Sequence, residues 1–105
     1  MARFSELLNM YGFVRSGDRN LVNYYARMKD GGLLSISLAA SSYCTPRALL
    51  AADDYEEVEI AFLRNGDPYN PGFLADMGIQ CGILAYFPVA DFEALTHRCF
   101  GAPDK

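Results

Sequence analysis

The chain has 105 residues and a net charge of −4, and 51% of its residues are hydrophobic while 21% are charged. These values are typical of one ordered globular domain over residues 1–105, and they exclude the disordered class, which lacks aromatic and aliphatic residues. The acidic balance and the absence of a basic run argue against nucleic acid as a direct ligand, because phosphate binding needs clustered Lys and Arg.

No apolar stretch reaches the roughly 20 residues that a membrane-spanning helix needs, and the first residues do not resemble a secretory signal. The cysteines, Cys44, Cys81 and Cys99, are odd in number and widely spaced, which fits neither a disulfide framework nor the paired ligands of a zinc site. We therefore expect a cytoplasmic protein that does not contact a membrane, has reduced thiols and needs no metal or cofactor.

The spacing of hydrophobic residues along the chain predicts the first helix and the first strands. Phe4, Leu7, Leu8 and Tyr11 follow the spacing of one helical face, which predicts a helix over residues 2–11. After a polar turn at 16–20, apolar and polar residues alternate over 22–28 and again over 34–38, with a turn-forming stretch at 29–32 between them. This pattern predicts a β-hairpin.

The middle of the chain is less regular. Thr45 before Pro46 has the form of a helix N-cap, which favours a short helix through Leu50. Residues 58–62 alternate as a third strand with an acidic outer side, and Asn65 and Gly66 then favour a tight turn.

The prolines in 67–72 leave room for a very short strand or a loop. Residues 79–87 are apolar, which predicts a fourth strand that is packed on both sides or kinked at Gly82. From Pro88 the helical period returns and ends at Gly101, so a last helix is expected there.

Together these elements predict an α+β fold. We expect a four-stranded, mostly antiparallel sheet with the N-terminal and C-terminal helices packed on one face, giving two layers.

Charge is distributed unevenly along the chain: residues 1–50 have six basic and three acidic residues, and residues 51–105 have three basic and ten acidic residues. Half of the later carboxylates lie in one short run with a tyrosine: Asp53, Asp54, Tyr55, Glu56, Glu57 and Glu59. Such a run favours a docking surface for a basic partner, with Tyr55 adding contact area. Tyr69, in a loop stiffened by prolines, is a further candidate contact.

The same run has two other interpretations. It can be a solvated outer strand face that discourages unwanted edge pairing. It lacks the glycine-punctuated spacing of a calcium-binding EF-hand loop, so a metal site is not expected.

Three hypotheses for function follow. The first is a non-enzymatic acidic module that binds, and inhibits, a basic or nucleic-acid-binding protein; phage and mobile-element inhibitors of host defence, anti-CRISPR proteins among them, are often of this size and charge. The second is a small cytosolic enzyme in which His97 activates Cys44 as a nucleophile. The third is a structural subunit that forms a homodimer or larger homo-oligomer through an exposed sheet face or edge.

Overall fold

The computed structural model describes residues 3–17, 21–29, 31–38, 44–45, 52–79 and 82–101. Within these ranges the helices are α1 (Phe4–Met10), α2 (Phe73–Asp76) and α3 (Phe92–Phe100). The strands are β1 (Val14–Gly17), β2 (Val22–Arg27), β3 (Leu33–Leu38), β4 (Glu57–Arg64), β5 (Asp67–Pro68) and β6 (Ile83–Pro88). Two 3-10 turns, Ala52–Asp54 and Val89–Asp91, lead into β4 and α3.

The strands form one antiparallel sheet in the order β1-β2-β3-β4, and both β5 and β6 pair with β4. The α+β class and the antiparallel sheet are confirmed, but the prediction of four strands is wrong because the described sheet has six. The additional strands are β1, which lies partly in the predicted polar turn, and β5, which is the very short strand that the sequence left open as an alternative to a loop. All four residues of β1 are exposed, so this edge strand has no alternation of buried and exposed residues by which to recognise it.

The β2-β3 hairpin is confirmed, with Val22 opposite Leu38 and Arg27 opposite Leu33. Its turn is closed by the Met28 N–H, which donates to the Gly32 carbonyl at 2.8 Å. The next tight turn is also as predicted, since Asn65 and Gly66 have φ of 53° and 85°, values typical of a two-residue hairpin turn. It joins β4 to the two-residue β5, and α2 follows without having been predicted.

The last strand differs from its prediction. β6 begins after Gly82, pairs only with β4 among the described strands, and buries only Leu84. It is therefore an edge strand rather than one packed on both sides. The strand is irregular at a β-bulge rather than at Gly82: Ala85 and Tyr86 lie opposite the single residue Glu59. Tyr86, in this bulge, has a positive φ of 55°.

The terminal helices share one hydrophobic core with the sheet. The buried residues of α3 include Phe92, Leu95 and Cys99, which follow the spacing of one helical face. They join Phe4, Leu7 and Leu8 of α1 and the alternate residues of β3 and β4 in a single cluster. In the described ranges, none of the helices has the length and apolar character needed to cross a membrane.

Candidate functional site

The acidic run is divided between two elements. Asp53 and Asp54 lie in the 3-10 turn beside α1, whereas Glu57 and Glu59 belong to β4. Alternation along β4 places Glu57 and Glu59 on one side of the strand, while Val58 and Ile60, both fully buried, point into the core. The predicted acidic outer side of this strand is therefore present.

Asp53 is engaged within the protein. Its Oδ1 accepts from the Ser5 N–H at 2.9 Å and its Oδ2 accepts from the Ser5 hydroxyl at 2.6 Å. Ser5 is the second residue of α1, and the residue at the N-cap position, Arg3, has no acceptor in its side chain. Asp53 thus supplies from 48 residues away the acceptor that an N-cap residue normally provides.

The same hydrogen bonds act on the ionisation of Asp53. Donation from the Ser5 hydroxyl and backbone lowers the pKa of this carboxyl below its usual value, and the charge of Arg3 lowers it further. Because the folded-state pKa lies below the unfolded-state value, the contribution of Asp53 to stability is complete above about pH 4 and is lost as the pH falls through the folded-state pKa.

Replacing Asp53 with alanine is expected to reduce the free energy of unfolding by about 1 kcal/mol at neutral pH, because the first turn of α1 loses its acceptor. Asp54→Ala is the matched control, since Asp54 is the neighbouring exposed carboxylate. The measurement is urea unfolding of both variants between about pH 2 and pH 7. The difference between wild type and Asp53→Ala should shrink below about pH 4. Equal losses for the two variants would contradict the capping role.

Glu57 also has an internal partner. Its Oε1 accepts from the Thr45 hydroxyl at 2.7 Å, and the two residues form an isolated antiparallel bridge in which the Thr45 N–H donates to the Glu57 carbonyl at 2.9 Å. Thr45 therefore contacts the start of β4. The short helix predicted after it, through Leu50, lies outside the described residues.

Two carboxylates of the run, Asp54 and Glu56, have accessible side chains without an internal partner among the described residues. Both are exposed, and neither side chain forms a hydrogen bond or ion pair with another residue in the described ranges. Glu57 and Glu59 are half-buried. We call Asp54, Glu56, Glu57 and Glu59 the acidic patch.

Tyr55 is not available as a surface contact. Its side chain is 4% exposed and belongs to the hydrophobic core. The expectation that it adds contact area for a partner is therefore wrong, because the chain turns its ring inward between the exposed residues Asp54 and Glu56.

Tyr69 is half-buried rather than exposed. Its ring packs against the core, and the guanidinium carbon of Arg64 lies 4.3 Å from the ring centroid. Its hydroxyl occupies the space in which a side chain at Gly32 would begin. These contacts give Tyr69 a structural explanation, and the prediction that it offers an exposed tyrosine is wrong.

The candidate nucleophile and base lie in different environments. Cys44 is fully buried in the core, whereas His97 is exposed on α3. An open depression of about 440 Å³ beside α2, lined by residues that include Pro71, Leu74 and Ile79, contains neither of them. Across the described ranges, no three His, Cys, Asp or Glu side chains are grouped so that they could hold a metal ion. Cys81 lies outside those ranges.

Two partners of the acidic run were not recognised in the sequence. Ser5 and Thr45 bind Asp53 and Glu57 across separations of 48 and 12 residues. The position of Thr45 before a proline favoured a helix N-cap and not a contact with Glu57. Nothing in the residues around Ser5 predicts its contact with Asp53.

A small polar row lies beside Glu59 on the same side of the sheet. Asn23 Oδ1 accepts from the hydroxyls of Ser35 at 3.1 Å and Ser37 at 2.9 Å. Ser37 is directly opposite Glu59 in the β3-β4 register. This side of the sheet therefore combines polar residues with carboxylates near the start of β4.

Comparison with known proteins finds no family model, no curated protein and no solved structure that matches this chain.

Proposed function

We propose that this protein is a non-enzymatic protein–protein interaction module whose acidic patch binds a basic surface of its partner. The observation that carries the proposal is the accessibility of Asp54 and Glu56 next to Glu57 and Glu59, four carboxylates within six residues. Like charges brought together in this way create a negative field that attracts a basic surface and repels an acidic one.

In this proposal the two terminal helices lie on one side of the sheet, so that helices and sheet form two layers. The shared core of α1, α3 and the inward residues of β3 and β4 supports this arrangement. The opposite side, which carries Glu57 and Glu59, is then accessible to a partner. Tyr55 and Tyr69 play no part, because the first is buried and the second is packed against Gly32.

A nucleic-acid-binding protein fits this chemistry. Its phosphate-binding channel is lined with Lys and Arg, and carboxylates placed there compete with the nucleic acid for the same cations. We therefore propose that binding inhibits such a protein, and that an anti-defence inhibitor of phage or mobile-element origin is the biological form of this activity. The reducing cytoplasm is the proposed location, as the widely spaced cysteines favour.

The test is reversal of the two exposed charges of the patch. Asp54→Lys with Glu56→Lys is expected to weaken capture of the partner from lysate by about tenfold or more, since two attractive contacts become repulsive. Capture by wild type should also fall as NaCl is raised from about 50 mM to about 500 mM, because salt screens exposed charges. Quantitative mass spectrometry of the bound proteins provides the readout.

The matched control is a second double variant that changes the net charge by the same amount but lies outside the acidic patch. Asp67 and Asp91 are exposed carboxylates on β5 and in the turn before α3, so Asp67→Lys with Asp91→Lys should leave capture of the partner unchanged. If both double variants lose the same proteins, or if neither loses any, the acidic patch is not the binding surface. Release of the captured protein by added duplex DNA tests the inhibitory part of the proposal.

A further inference from the structure

An exposed tyrosine borders the acidic patch on the neighbouring strand. Tyr86 belongs to β6 and is 39% exposed. In the bulge of this strand, Ala85 and Tyr86 lie opposite Glu59. Because adjacent strands are about 4.8 Å apart, Tyr86 and Glu59 are neighbours in the sheet. The patch therefore has an aromatic neighbour at its surface, although Tyr55 is buried.

The bulge explains why Tyr86 is exposed. Side chains alternate along an unbroken strand, so Tyr86 would lie on the inward side with Leu84, two residues before it. Leu84 is buried and Phe87 packs against the core, although these two residues are three positions apart. The additional residue of the bulge allows both to reach the core and leaves Tyr86 accessible. The exposure of this tyrosine is thus set by the backbone.

Carboxylates of the acidic patch border this part of β6. Glu57 and Glu59 lie on the same side of β4, about 7 Å apart along the strand. Glu56 is exposed, and its carbonyl accepts from the Val89 N–H at 2.9 Å, which brings Glu56 beside the residue that follows β6. Tyr86 is therefore an aromatic residue in a negative field, and both the ring and the field attract a cation.

The chain itself shows how an aromatic ring and a carboxylate hold an arginine together. Arg98 Nη2 lies 3.1 Å from Asp76 Oδ2, and the guanidinium carbon lies 5.8 Å from the centroid of the Phe73 ring. A guanidinium group is planar and weakly hydrated, so it can stack on a ring while its N–H groups donate to a carboxylate. The ammonium group of lysine is compact and strongly hydrated, so it gains less from the ring. A ring beside a carboxylate therefore favours arginine over lysine.

We propose that Tyr86 and the acidic patch bind an arginine side chain of the partner, with the guanidinium group on the tyrosine ring and its N–H groups donating to Glu59. An ionised carboxylate has about four acceptor positions, so Glu59 accepts these donors in addition to any bond within the chain. The inference rests on the proposed function and narrows it, because the basic surface of the partner then presents an arginine rather than a lysine at this position. Tyr86 is thus a specificity-determining residue.

The experiment compares two synthetic peptides that are identical except that one has several arginines and the other has lysines at the same positions. Each is titrated into the isotope-labelled full chain and followed by NMR. Wild type is expected to bind the arginine peptide about threefold more tightly, as an exposed contact between a cation and a ring predicts. Tyr86→Phe keeps the ring and should keep this preference. Tyr86→Gly removes the ring, and glycine suits the φ of 55°, so this variant should fold and bind both peptides equally.

Two controls separate this inference from the proposed function. Ile83→Ala alters another exposed residue of β6, which is opposite Ala61 rather than a carboxylate, and should leave the preference for arginine unchanged. Asp54→Lys with Glu56→Lys should weaken the binding of both peptides by a similar factor. Equal binding of the two peptides by wild type, or a preference that persists in folded Tyr86→Gly, overturns the role of Tyr86 and leaves the proposed function standing. No binding of either peptide to wild type at millimolar concentration overturns both.

Discussion

Replacing Phe92 with alanine is expected to lower the free energy of unfolding by about 4 kcal/mol. Phe92 begins α3 and is completely buried. Its ring centroid lies 4.9 Å from that of Phe4 in an edge-to-face arrangement and 6.0 Å from that of Phe13. The substitution removes both aromatic contacts and leaves a cavity between α1 and α3, which close-packed neighbours fill only in part.

Met10→Ala is the control for this prediction. Met10 is the last residue of α1 and is 47% exposed, so its truncation should change the free energy of unfolding by less than about 0.5 kcal/mol. Urea unfolding followed by circular dichroism measures both variants. A loss below about 1 kcal/mol for Phe92→Ala would show that this ring does not join the two helices as described.

Gly82→Ala is expected to destabilise the protein by about 3 kcal/mol, the upper end of the range for overpacking. A Cβ atom at Gly82 would overlap the Tyr69 carbonyl oxygen and lie 2.9 Å from Asn70 Oδ1. The backbone around it cannot move away easily. The Gly82 carbonyl accepts from the Phe62 N–H at 2.8 Å, and the Phe62 carbonyl accepts from the Tyr69 N–H at 2.9 Å.

Gly72→Ala provides the contrast. A Cβ atom at Gly72 meets nothing within 4 Å, and the residue already has helical φ and ψ of −58° and −32°. Alanine there should be neutral or stabilise by up to about 1 kcal/mol, because it restricts the unfolded chain. Thermal unfolding of the two alanine variants tests the pair. Similar melting temperatures would contradict the close approach at Gly82.

The backbone geometry around Gly82 differs from what the sequence pattern predicted. Gly82 lies inside the apolar run 79–87, which predicted a strand either packed on both sides or kinked at this glycine. The structure instead places Gly82 before β6, against the Tyr69 backbone. The local irregularity lies at Tyr86, a residue type that gives no sign of a positive φ. The position of Gly82 and the positive φ of Tyr86 both depend on the segments that pack beside these residues. The residue types alone therefore do not predict them.

The acidic run shows the same limit for the candidate site. Alternation along residues 57–62 correctly separated the outward carboxylates from the core residues of β4. The pattern could not distinguish Asp53, which accepts two hydrogen bonds from Ser5, from the adjacent Asp54, which is exposed. Nor could it show that Tyr55, between charged neighbours, is buried.

By itself the sequence determined the α+β class, the β2-β3 hairpin, the tight turn at Asn65 and Gly66, and the last helix. These features depend on side-chain period and on backbone preferences within a few residues. Only the tertiary structure decided the edge strands β1 and β5, the inward position of Tyr55 and the capping of α1 by Asp53. The physical reason is that each of these depends on what the rest of the chain brings alongside, in one case from 48 residues away.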